Sequence, residues 1–175
     1  SVWAWRSGRI RKIAEAVSRI LVLFPFEEAI YQKAGIPVTY VGHPLAESIP
    51  MRPDIDAART SLGLDREKPV ITIMPGSRMS ELKYNSPAFV ESAKILLQRD
   101  PTIQFVIPMA GDEQLKYFTK LVSGARLDDL PLQIVRGHSH AAITAADAVL
   151  VASGTATLEV ALFKKPMVIA YKLMR

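Results

Sequence analysis

Three short stretches of this chain carry residue types suited to gripping a phosphorylated ligand. Pro75-Gly76-Ser77-Arg78 offers backbone N–H groups, a hydroxyl and a guanidinium, a set that fits a phosphate oxyanion. Ser153-Gly154-Thr155-Ala156-Thr157 lies between an apolar run and a helix-periodic segment, so its free N–H groups form an anion site at a helix start. Ser153 or Thr155 is expected as the N-cap, with Gly154 admitting a ligand close to the backbone. Glu159, about one turn further on, is placed to accept hydrogen bonds from ribose or sugar hydroxyls. The third stretch, Arg136-Gly137-His138, ends another apolar run, and its backbone would meet a base. Together they describe a nucleoside-diphosphate pocket in which arginine and helix dipoles, rather than a metal, meet the charge.

Other chemistries find less support. The Gly-Lys-Ser/Thr ending of a P-loop is missing after Gly76, and no G-x-G-x-x-G occurs. Val151 stands where a G-x-S-x-G nucleophile elbow needs its first glycine, so Ser153 is not read as a hydrolase nucleophile. His138 and His140 are two apart and would face different sides of a helix, with no carboxylate cluster to complete a metal site. His43, alone before Pro44, reads as a structural loop residue. Neither a cofactor nor a metal is expected.

The elements that must position these loops follow from the apolar periodicity. Strands are expected at residues 20–24, 38–41, 70–74, 104–108, 133–135, 148–152 and 167–171. Helices are expected at residues 8–21, 26–34, 54–61, 86–98, 113–121, 139–146 and 156–163. Short strands alternating with helices mean a Rossmann-like α/β fold, a parallel sheet with helices on both faces. The stretch around Pro50 and Pro53 reads as a linker, putting a boundary near residue 48, with residues 1–48 and 49–175 on either side.

Composition narrows the class. The 175 residues are 49% hydrophobic and contain no cysteine, which excludes disulfide frameworks and thiolate metal sites. No apolar run approaches the ~18 residues of a membrane span. Of the net charge of +5, residues 1–20 supply +4, through Arg6, Arg9, Arg11, Lys12 and Arg19 against Glu15. A nucleic-acid-binding domain would spread such charge over a whole face, so no nucleic acid is expected. Trp3 and Trp5 beside Arg6, with Arg9 and Arg11 following, form a candidate surface for anionic lipid headgroups; the plainer alternative is a packed domain edge with a solvated basic face. The chain begins without Met and stops after a strand-like run, and reads as an excerpt of a longer protein.

Five motifs in order carry a resemblance over essentially the whole chain: Ser1-Val2-Trp3-Ala4-Trp5-Arg6, Phe24-Pro25-Phe26-Glu27, Val41-Gly42-His43-Pro44-Leu45, Pro75-Gly76-Ser77-Arg78 and Ser153-Gly154-Thr155-Ala156-Thr157-Leu158-Glu159. They resemble the lipid A disaccharide synthases. The resemblance implies a GT-B glycosyltransferase, with residues 1–48 ending the N-terminal acceptor-side domain and 49–175 forming most of the donor domain. It implies a hexosyltransferase reaction joining UDP-2,3-diacylglucosamine to 2,3-diacylglucosamine 1-phosphate, with inversion, release of UDP and no metal. It places the protein in the cytoplasm, peripheral to the inner membrane of a Gram-negative cell, and as a homodimer at full length. The general base of such enzymes would precede Ser1, so no catalytic residue is expected here, and weak uridine-nucleotide binding without turnover is the expectation for this chain. The implied donor contacts are Gly76, Ser77, Arg78, Arg136, Gly137, His138, Ser153, Gly154, Thr155, Ala156, Thr157 and Glu159. Two other readings fit the loops: another UDP-N-acetylglucosamine-using transferase or epimerase on the same scaffold, and a non-catalytic nucleotide-binding domain.

Overall fold

The computed structural model describes residues 8–124 and 131–172. The chain divides into two compact units, Ser1–Ile49 and Pro50–Arg175, each taken by itself below.

In the first unit, α1 (Gly8–Ala16), β1 (Ile20–Val22), α2 (Pro25–Lys33), β2 (Val38–Tyr40) and α3 (Pro44–Ser48) follow in order. β1 and β2 pair in parallel, Ile20 opposite Val38. Their core is Val22, Tyr31 and Ile36, with Ile10, Ile13, Ile20 and Val38 packed on it. The helix expected over residues 8–21 therefore stops at Ala16, because Ile20 is taken by the sheet; the Ile20 amide donates to the Pro37 carbonyl at 2.8 Å. The apolar stripe of α1 is turned onto its own unit, leaving Arg9, Arg11 and Lys12 exposed. β1 is not the buried strand expected from its composition, since Leu21 is 62% exposed. His43 has the structural role expected: its Nδ1 accepts from the Leu45 amide at 3.2 Å and caps α3, a short helix not foreseen from the sequence.

The second unit holds α4 (Ile55–Ser61), β3 (Val70–Met74), α5 (Met79–Arg99), β4 (Gln104–Met109), α6 (Asp112–Gly124), β5 (Leu132–Arg136), α7 (Ser139–Ala145), β6 (Ala148–Ala152), α8 (Thr155–Leu162) and β7 (Met167–Ala170). All five strands are parallel, in the order β5-β4-β3-β6-β7. The order reverses between β3 and β6. Both faces are covered, as the period-2 alternation along β4 shows: Phe105, Ile107 and Met109 join a core with Leu82, Phe89, Ala93 and Phe118 of α5 and α6. Val106 turns the other way, onto Ala58 and Leu62 of α4 and Ala142 and Ala145 of α7. Each large side chain fully buried here, such as Phe105, Ile107 or Leu82, stabilises the fold by roughly 1.5–3 kcal/mol over an exposed one.

α5 begins seven residues before its expected start. Pro87, which a start at Ser86 would put in the first turn, instead lies inside a 21-residue helix. An interior proline costs about 3 kcal/mol. The turns ahead of it are held by burial of Leu82, Asn85 and Ser86. Asn85 also ties two chain segments together, its Nδ2 donating to the Pro75 carbonyl at 2.9 Å and its Oδ1 accepting from the Lys172 amide at 3.0 Å.

At the amino ends of β3 and β6, Asp147 Oδ2 accepts from the Val70 amide and from Arg59 Nη2, both at 2.8 Å. Arg59, itself buried, also donates to the carbonyls of Ala145 at 3.0 Å and Arg66 at 2.6 Å. Nearby, Lys165 Nζ donates to the Ala146 carbonyl at 2.7 Å. Burial lowers the pKa of its ammonium, opposed by the charge of Asp147 and aided by that of Arg59. Arg59→Ala strands these acceptors and should lower stability by roughly 2 kcal/mol or more. Urea unfolding measures this, and a loss below about 0.5 kcal/mol would mean the pair is only a surface contact.

Candidate functional site

A cleft of about 580 Å³ opens at the carboxyl ends of the strands of the second unit. In an open parallel sheet this is where ligands bind, at the crevice where strand order reverses. Its walls come from the loops after β3 and β6, with Pro108, Met109 and Ala110 from the end of β4, and Gly137 and Ser139 from the turn after β5.

Nine of the twelve residues singled out from the sequence line it: Gly76, Ser77, Arg78, Gly137, Ser153, Gly154, Thr155, Ala156 and Glu159. They come from three turns up to 83 positions apart, and the topology alone brings them together. The other three are not among the lining residues. Arg136 pairs with Asp112, Nε to Oδ1 at 3.0 Å. His138 is exposed and adopts the left-handed conformation (φ 57) that lets the chain enter α7. Thr157 turns its hydroxyl back to the Gly154 carbonyl at 2.7 Å. Arg9 and Arg11 lie on α1 of the first unit, and Trp3, Trp5 and Arg6 fall outside the described residues.

The turn after β6 differs from its expected form. Gly154, rather than Ser153 or Thr155, is the N-cap of α8, and no side-chain cap bond is made to the helix among the described residues. Its backbone is extended (φ 164), which any residue adopts, and an added Cβ would meet nothing within 4 Å. The first N–H groups of α8 thus keep no side-chain cap, the feature that gives a helix start its affinity for anions. Glu159, its side chain 26% exposed, lies 3.9 Å from His140 Nε2, and the His140 ring meets Phe163 edge-on at 5.1 Å.

The turn after β3 is more constrained. Gly76 has φ 131, and a Cβ there would lie 2.5 Å from the Cβ of Glu81. Glu81 was not singled out from the sequence. Its Oε2 accepts from the amides of Ser77 at 3.0 Å and Arg78 at 3.2 Å, and its Oε1 pairs with Arg78 Nη1 at 3.0 Å. The available signal was its position three residues after Arg78, the N3 place of a capping box. It was hidden because the start of α5 was expected at Ser86. Gln114 steadies the same turn, its Nε2 donating to the Ser77 carbonyl at 3.1 Å.

Residues 1–175 match the family model described as lipid-A-disaccharide synthetase. The chain belongs to that family. It is 51% identical over 173 residues to the lipid-A-disaccharide synthase of Chromobacterium violaceum, covering 99% of this chain and 45% of that protein. Against the synthase of Burkholderia vietnamiensis it is 52% identical over 172 residues, covering 98% of this chain and 44% of the relative. The chain thus spans less than half the length of these relatives. Among solved structures it resembles the pneumococcal O-GlcNAc transferase GtfA, in complex with UDP and GlcNAc, with TM-score 0.58 and 13% identity over 94% of this chain and 33% of that one. It also resembles TarM, with TM-score 0.55 and 12% identity over 93% of this chain and 31% of that one. At such identities the likeness is one of fold, the parallel α/β architecture of GT-B glycosyltransferases.

Gly76→Ala should deform the turn after β3, since neither its φ nor the approach of Glu81 leaves room for a methyl group. A loss of roughly 1–3 kcal/mol in thermal or urea unfolding is expected. A variant as stable as the parent would show that the turn relaxes freely.

Proposed function

We propose that the whole protein is an inverting glycosyltransferase of lipid A biosynthesis, and that this chain carries most of its donor site. In this reading UDP-2,3-diacylglucosamine is the donor, 2,3-diacylglucosamine 1-phosphate the acceptor, and the disaccharide 1-phosphate and UDP the products. Family membership supports the overall reaction. What carries the site assignment is the convergence of the turns after β3, β5 and β6 on one cleft at the reversal of strand order.

The residues divide the work. Ser77, Arg78 and the first amides of α8 hold the diphosphate, a guanidinium and a helix dipole acting on the same anion. Glu159 accepts hydrogen bonds from the ribose hydroxyls, and the backbone at Gly137 borders the base. As the acceptor hydroxyl displaces UDP from the anomeric carbon with inversion, negative charge gathers on the departing diphosphate. Preorganised donors aimed at that charge lower the barrier without reorganising. The proposed reaction calls on no metal. The base that takes the acceptor's proton belongs to the acceptor-side domain, of which residues 1–48 are the end. For this chain by itself the reading gives weak UDP binding without turnover.

Calorimetric titration with UDP tests the assignment. Arg78→Ala and Glu159→Ala should each weaken binding by about tenfold or more, the cost of losing a hydrogen bond to a charged group. Unchanged affinity in both would remove the donor site from this cleft.

The acylated substrates place the reaction at the cytoplasmic face of the inner membrane, the whole protein being peripheral and a homodimer in this proposal. No helix among the described residues is long and apolar enough to cross a membrane. Because Ile10 and Ile13 pack on their own core, attraction of α1 to lipid would come from Arg9, Arg11 and Lys12. Binding to anionic liposomes should then fall by about thirtyfold or more for Arg9→Glu plus Arg11→Glu, at roughly 1 kcal/mol per basic residue removed near the surface. Equal binding by parent and variant would refute the membrane role of this helix.

A further inference from the structure

We infer that Glu81 is a built-in occupant of the diphosphate subsite, exchanging with the donor's phosphate when a nucleotide binds. The inference rests on the donor assignment just given and adds how that site is regulated. Three donors converge on the Glu81 carboxylate: the amides of Ser77 and Arg78 on Oε2, at 3.0 and 3.2 Å, and Arg78 Nη1 on Oε1, at 3.0 Å. A capping-box carboxylate needs only the N–H of the N-cap residue, here Arg78. The Ser77 amide lies outside the helix, in the turn assigned to phosphate. Glu81 also lines the cleft, its side chain 19% exposed. The turn is shaped around it, since Gly76 leaves 2.8 Å between an added Cβ and Glu81 Oε2.

A carboxylate and a phosphate are both oxyanions seeking the same donors. They cannot both lie about 3 Å from the same nitrogens, because like charges at that distance repel strongly. A phosphate entering this turn must therefore displace Glu81 toward the open cleft. The net gain on binding is the difference between two anions rather than the full strength of two amides and a guanidinium. Glu81 thus weakens the hold on diphosphate and favours its departure after transfer. The uridine end of the ligand is untouched by this exchange.

Titration of the parent protein and Glu81→Gln with UDP and with uridine tests the inference. Glutamine keeps the length and a neutral acceptor for the helix cap, and circular dichroism checks the fold. The expected result is UDP binding about tenfold tighter in Glu81→Gln, with uridine unchanged. UDP binding seen only in the variant supports the same conclusion. UDP binding that is unchanged or weaker, in a parent that does bind, makes Glu81 a cap or a support for Arg78; it overturns the inference and leaves the donor site standing. Tightening toward uridine as well would also overturn it. If neither protein binds UDP, the donor assignment falls and the inference with it. On the unaltered protein, the carboxyl-carbon NMR signal of Glu81 should move with UDP and not with uridine; a signal indifferent to UDP would contradict the exchange.

Discussion

The pairing of β3 with β6 is the constraint from which the rest of the second unit follows. Its register, Ile71 opposite Ala148 through Met74 opposite Val151, brings the turn at Gly76 beside the turn at Gly154. At the other end of the same two strands, Asp147 bridges the Val70 amide and the Arg59 guanidinium. One end of the pair is thus locked by charge and hydrogen bonds, while the other splays into loops that border the cleft. A slip of one residue would turn Val70, Thr72 and their partners to the wrong face and separate the two turns.

The cleft is built mainly from backbone and small side chains. Apart from Arg78, Glu81 and Glu159, its polar lining is glycine, serine and threonine, which bring N–H groups and hydroxyls close to a ligand without bulk. Rigidity comes from behind. Asn85 holds the Pro75 carbonyl, and Gln114 holds that of Ser77. Neither residue lines the cleft, yet together they fix the turn that presents Arg78.

Much of this was legible in the sequence. β3 and β6 fall where the apolar runs place them, because strands buried on both faces read as continuous apolar stretches. Strand order was less legible, since alternation of elements announces a parallel sheet without saying which strands are neighbours. Composition misled at Pro87, where propensity yielded to packing, and at residues 17–21, where the helical stripe was read past the end of α1 at Ala16 and overlapped the start of β1, a strand that was itself expected. The individual loop residues divided along similar lines. The placing of Gly76, Ser153 and Gly154 follows from strand ends, which a sequence shows. The turning away of Arg136 toward Asp112 depends on a neighbour from another element, which it does not.

The strand order also has a consequence for biosynthesis. β3, β4 and β5 emerge from the ribosome in the order in which they pair, but the second edge of β3 must wait for β6, whose first paired residue lies 77 positions after Ile71. Until then a central strand containing Val70, Ile71 and Ile73 keeps one edge open, the kind of unpaired edge that recruits other chains. Completion of the ligand cleft and removal of that hazard are therefore the same event in the maturation of the chain.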